Sequence, residues 1–172
     1  MPITPDTKDW TWVVERACPE CGFEAESVPL DGIGDLVRDT VRRWETVLGD
    51  GSGLDQRPDD STWAPIEYAC HVRDVFRIYD QRLARMLSED DPLFENWDQD
   101  ATAVEDRYLD QEPTVVAAEL AHAGHSVAAA FDGVQGDQWD RPGRRSDGAS
   151  FTVATFARYF VHDPVHHLWD VS

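Results

Sequence analysis

Hydrophobic side chains recur at intervals of three and four residues in four segments of this chain, the period of an amphipathic helix. The first run is Ile33, Leu36, Val37, Thr40, Val41, Trp44, Val47 and Leu48, and Gly49 follows where a helix stop is expected. Residues 49–61 are rich in Gly, Asp and Pro and read as a loop. A second helix is predicted from Pro65, a residue suited to the first helical position. Glu67 then falls in the first turn, where a carboxylate complements the exposed N–H groups. Ile66, Ala69, Val72, Phe76, Tyr79, Leu83, Met86 and Leu87 form its apolar stripe. Residues 88–110 are acidic and predict a long connection with one short helical turn. A third helix opens at Pro113, with Val116, Leu120, Val127 and Phe131 on one face. Pro142-Gly143 and Asp147-Gly148 then signal turns, and a fourth helix runs from about Thr152 to Trp169. The first 30 residues show no helical period and read as an irregular extension. The pattern predicts an all-α four-helix bundle over residues 31–172, with residues 1–30 as an appendage.

Composition narrows the partners. A length of 172 residues fits one domain, and 41% hydrophobic residues with seven Trp and seven Phe argue against disorder. Asp and Glu number 34 against 15 Lys and Arg, a net charge of −19. A field of that sign repels phosphates and anionic lipid, so nucleic acid and membrane partners are not expected. No apolar run approaches the ~20 residues of a membrane span. Met1-Pro2-Ile3-Thr4-Pro5-Asp6 lacks the regions of a signal peptide, and three cysteines form no disulfide framework. A cytoplasmic location is the expectation.

The histidines carry the candidate chemistry. On the fourth helix Thr155, Tyr159, His162 and His166 are spaced by four, three and four residues and share one stripe. His162 and His166 are one turn apart, about 6 Å along the axis, so both can reach one ion. His71, just off the apolar stripe of the second helix beside Val75 and Ile78, offers a third imidazole. Three histidines with an open position make a catalytic rather than a structural metal site. A His-x-x-x-His pair also arises by chance, and Pro164 lies between these two, where it kinks or breaks a helix at a cost of ~3 kcal/mol. If Asp163 caps a new helix at Pro164, the geometry of the pair changes. His167 points with Phe160 towards the packing face and reads as a support for the ligands or as structural. His122 and His125 fall on the outer face of the third helix and read as solvated.

Trp63-Ala64-Pro65-Ile66-Glu67-Tyr68-Ala69-Cys70-His71-Val72 and His162-Asp163-Pro164-Val165-His166-His167-Leu168-Trp169-Asp170 together resemble the DinB-like superfamily. The chain is similar in particular to its actinobacterial branch, grouped with mycothiol-dependent maleylpyruvate isomerases. The resemblance covers nearly all of residues 31–171 and implies an up-down-down-up bundle holding a divalent metal, often as a homodimer. It implies His71, His162 and His166 as ligands and a helix kinked rather than broken at Pro164. Members of the superfamily include thiol-dependent transferases, isomerases and hydrolases. Some isomerase-type members carry a carboxylate at one ligand position, where this chain has His162.

Cys18-Pro19-Glu20-Cys21-Gly22 has the shape of a zinc knuckle, but no second cysteine pair follows. It reads as half a metal site, a reversible disulfide or a packed remnant, with no stable metal expected. A full site would draw on His122, His125 or a second chain.

Two functions compete. In the first, a divalent ion (zinc, nickel, iron or copper) on His71, His162 and His166 activates a small thiol such as mycothiol, or water, against a small electrophile. Tyr159 is then the candidate proton donor, and Asp163 and Asp170 can hold the distal imidazole N–H groups, with His167 beside them. In the second, the bundle binds metal or dimerises without catalysis, as a sensor or stress-response partner; a bundle with incidental histidines is a lesser third. A pocket over the metal separates the first two.

Overall fold

The computed structural model describes residues 3–5 and 8–172. Its four long helices are α1 (Ile33–Gly49), α2 (Pro65–Ser88), α4 (Pro113–Asp132) and α5 (Val153–Asp170), with a short α3 (Gln99–Glu105) in the acidic connection. The stripes predicted from periodicity face inward. Ile33, Val37, Val41, Trp44 and Leu48 of α1 are buried, as are Ile66, Ala69, Val72, Phe76, Tyr79, Leu83 and Met86 of α2.

Helix α4 packs along both α1 and α2, and α5 covers the same pair, so α1 and α2 meet each other only sparingly. Gly124 permits the close approach of α4: a Cβ there would collide with Val41 and lie 3.0 Å from the Phe76 ring. Phe160 of α5 forms the aromatic centre of the core. Its ring lies 4.8 Å from Tyr79, 5.5 Å from Phe131 and 6.0 Å from Phe76. Burying an aromatic side chain among aromatic neighbours fixes the rotation of α5 about its axis.

Two local signals at the helix starts are realised as hydrogen bonds. Glu67 Oε2 accepts the Ala64 N–H at 3.0 Å and pairs with Arg57 at 2.7 Å, although Glu67 is buried. Thr152 Oγ1 accepts the Thr155 N–H at the start of α5. Helix α5 runs unbroken through Pro164, so Asp163 caps no new helix. The ring removes one backbone donor, and the buried face on both sides of it holds the helix together.

Residues 137–150 contain more than turns. Strand β2 (Pro142–Arg145) pairs antiparallel with β3 (Ser150–Thr152), and β1 (Leu93–Phe94) joins β2 in parallel, with Leu93 opposite Arg144. Strands this short show no alternation a sequence pattern could register. The N-terminal residues are likewise part of the core. Val13, Cys18, Phe23, Ala25 and Val28 are buried, and the turns Thr11–Val14 and Ala25–Ser27 pack on α5. No helix among the described residues is long and apolar enough to cross a membrane.

Candidate functional site

An unbroken α5 carries two interleaved pairs with the same spacing of four, His162 with His166 and Asp163 with His167. They are rotated about 100° from each other, so they face different neighbours. The histidines His71, His162 and His166 therefore do not converge. Among the described residues, two groups bring ligating atoms within 4.8 Å of one another: His71 with Asp163 and His167, and Cys18 and Cys21 with His162 and His166.

The first group sits between α2 and α5. Asp163 Oδ2 lies 3.1 Å from His71 Nε2 and 3.6 Å from His167 Nε2. Tetrahedral coordination with usual metal–oxygen and metal–nitrogen lengths puts such atoms ~3.4 Å apart, within this range. His71 Nδ1 and Asp163 Oδ1 are buried and have no hydrogen-bond partner. His167 donates its other nitrogen, Nδ1, to Asp170 Oδ2 at 2.7 Å, which turns Nε2 towards Asp163. Trp97 stacks on the His71 ring at 5.3 Å with the planes 7° apart, and Trp63 closes a second side at 5.4 Å. Burial pushes the Asp163 carboxyl up, but the His71 and His167 imidazoles outweigh it and hold the group well below the usual carboxylate range. Burial lowers His167, yet Asp163 and Asp170 outweigh it and raise the imidazole to about 9. The residues fit a divalent cation: two imidazoles converge through Nε2 on one carboxylate oxygen, at separations a shared ion allows.

The second group joins α5 to the N-terminal segment. Cys18 Sγ lies 3.7 Å from His166 Nδ1, and the His162 and His166 ring centroids are 5.0 Å apart. Trp10 and Phe23 pack on the His162 ring at 5.5 and 5.4 Å. Burial takes the His162 imidazole down to about 4, so it is neutral at pH 7. Burial also raises the Cys21 thiol to about 11. His122 and His125 are exposed on α4, as their place on its outer face predicts, and do not join the cysteine group.

A cavity of about 490 Å³ opens beside both groups and is lined by His71, Asp163 and His167 together with Arg82, Arg145 and Tyr159. Tyr159 accepts a hydrogen bond from Arg145 Nη1 at 3.1 Å through its hydroxyl oxygen. Trp10 and Glu20 of the N-terminal segment form part of the cavity wall. Sequence reasoning placed Asp163 and His167 behind the ligands; their ligating atoms lie within 4.8 Å of those of His71. Their signal was present, since Asp163-x-x-x-His167 has the same period as the histidine pair. Trp97 and Arg145 carried no signal at all, because they come from the connection and the hairpin.

A mostly helical bundle with carboxylates and imidazoles converging at its helix interfaces belongs to a class of bundles suited to binding metal. Within that class the chain belongs to the DinB superfamily, whose sequence model matches residues 33–171. It is similar in structure to YfiT from Bacillus subtilis, described as a probable metal-dependent hydrolase with an unusual four-helix bundle topology. That similarity has a TM-score of 0.76 at 18% identity and covers 83% of each chain. No curated protein matches the sequence.

Proposed function

We propose that the protein is a divalent-metal-dependent enzyme whose metal is held by His71, Asp163 and His167. The single observation that carries this reading is the convergence of three ligand atoms on one side of a cavity of about 490 Å³. Three protein ligands facing open space are the mark of a catalytic rather than a structural site. A divalent ion there supplies Lewis acidity that brings the pKa of a water or thiol towards neutrality.

The chain's own residues do the rest. Asp170 fixes the orientation of His167, and the Trp63 and Trp97 rings hold His71 and keep bulk water from its faces. His167 gives up its Nε2 proton when a divalent ion binds, so one carboxylate and two neutral imidazoles leave the centre with net positive charge, and Arg82 and Arg145 add positive charge to the same cavity. The pocket is therefore suited to a small electrophile with an anionic group, despite the acidic exterior. Tyr159 accepts from Arg145 and keeps its own hydroxyl proton to donate into the cavity. The attacking group is water or a low-molecular-weight thiol such as mycothiol. The hydrolase description of YfiT supports the first, and the resemblance to thiol-dependent isomerases supports the second. A bundle acting only as a sensor has no need of this cavity.

The test is turnover of a panel of esters, amides and thiol-reactive electrophiles, with and without small thiols and added zinc, nickel or iron. Metal-dependent turnover that disappears in Asp163→Asn is expected. Turnover that is equal in the wild type and this variant would overturn the assignment, as would none across the panel.

A further inference from the structure

We infer that Cys18, Cys21, His162 and His166 form a second, structural zinc site that fastens the N-terminal segment to α5. Cys18 and Cys21 precede the residues matched by the family model, so membership of the superfamily does not assign this set. Its four donors lie within 4.8 Å of one another. The 3.7 Å between Cys18 Sγ and His166 Nδ1 is close to the ~3.6 Å edge of a tetrahedron with zinc–sulfur and zinc–nitrogen bonds of usual length. His162 is 5% exposed, and its Nε2 is buried with no hydrogen-bond partner. A zinc ion supplies that partner.

The loop is already wound as a knuckle. Gly22 donates its N–H to the Cys18 carbonyl at 2.9 Å, and the Cys18 N–H reaches the Phe23 carbonyl at 2.8 Å. Gly22 has φ +74, a left-handed conformation that glycine adopts at least cost. His166 turns Nδ1 to the cysteine and Nε2 to Glu20, 3.4 Å away, the arrangement by which carboxylates orient metal-bound histidines.

Binding forms two zinc–sulfur and two zinc–nitrogen bonds and releases the two thiol protons to solvent. Two thiolates cancel the charge of the ion, so the buried cluster is neutral. All four positions are protein donors, which closes the site to substrate. Its role is mechanical. Trp10 and Glu20, on either side of Cys18, wall the cavity beside His71, Asp163 and His167, and the zinc holds that wall in place.

The experiment replaces zinc by cobalt(II) in the full-length, untagged protein and records the absorption spectrum. Thiolate-to-cobalt charge transfer and strong tetrahedral visible bands are expected in the wild type. They should persist in His71→Ala and Cys70→Ser and vanish in the double variant Cys18→Ser/Cys21→Ser. Zinc content should fall by one ion per chain in the double variant. A wild-type spectrum without charge transfer overturns the inference even if the double variant does not fold, and so does charge transfer that survives in a folded double variant. Loss of metal-dependent turnover together with intact charge transfer would defeat the catalytic reading and leave this site standing.

Discussion

The two ligand clusters on α5 use the same helical spacing and differ in what faces them. Asp163 and His167 look across to α2, where His71 is the one further donor among the described residues and a cavity borders the group. His162 and His166, about 100° around the helix, also border that cavity but meet two cysteines from the N-terminal segment, which together with them supply four protein donors. The first set is open and leaves a divalent ion positively charged; the second is closed and neutral. Coordination number and charge, rather than the spacing of histidines, separate a site suited to chemistry from one suited to holding the chain together. The two are joined covalently through the 166–167 peptide, so any motion of α5 moves both.

That linkage can be broken at its base. Phe160→Ala removes the aromatic anchor of α5 and is expected to cost about 3–5 kcal/mol of stability in denaturant titration. If the variant folds, metal binding at both clusters should weaken together, whereas an effect on one alone would show that the clusters move independently. Asp163→Asn separates them cleanly. It should abolish metal retention at the open set and lower metal-dependent turnover by more than ~100-fold, beyond what loss of an outer support costs, with the cobalt–thiolate spectrum unchanged. Asp170→Asn removes the acceptor for His167 Nδ1 and should weaken metal binding at the open set by ~10–100-fold in competition with a chelator dye. Glu20→Gln touches the closed set from its exposed rim. An exposed ion pair is worth about 0–1 kcal/mol, so zinc retention should change by less than ~5-fold. A loss of ~10-fold or more would mean that Glu20 orients His166 as firmly as Asp170 orients His167.

Much of the bundle was legible because helical periodicity is local information. The stripes of α1, α2 and α4 face inward as their apolar spacing required, and Gly49 and Pro113 lie at helix ends. The hairpin was not legible, since Pro142–Arg145 has neither alternation nor β-branched residues, and its pairing with Leu93 joins segments about 50 residues apart. The candidate site was legible in its residues and not in its grouping. His71, His162 and His166 are all near metal-ligating partners, but the partners differ from those that imidazole counting selects. Asp163 was read as an outer support for the imidazoles rather than as a donor in its own right, whereas here it stands between the His71 and His167 rings.

By itself the sequence determined four amphipathic helices, a family, an inventory of histidines, cysteines and carboxylates, and the angles between side chains on the same helix. Those angles follow from about 100° per residue and need no neighbour. Only the tertiary structure decided which angle faces which partner. The rotation of α5 is set by the packing of Phe156 and Phe160 in the core, and the return of Cys18 to His166 spans 148 residues. Neither leaves a periodic trace in the chain, because packing and long-range closure depend on surfaces that exist only once the helices have met.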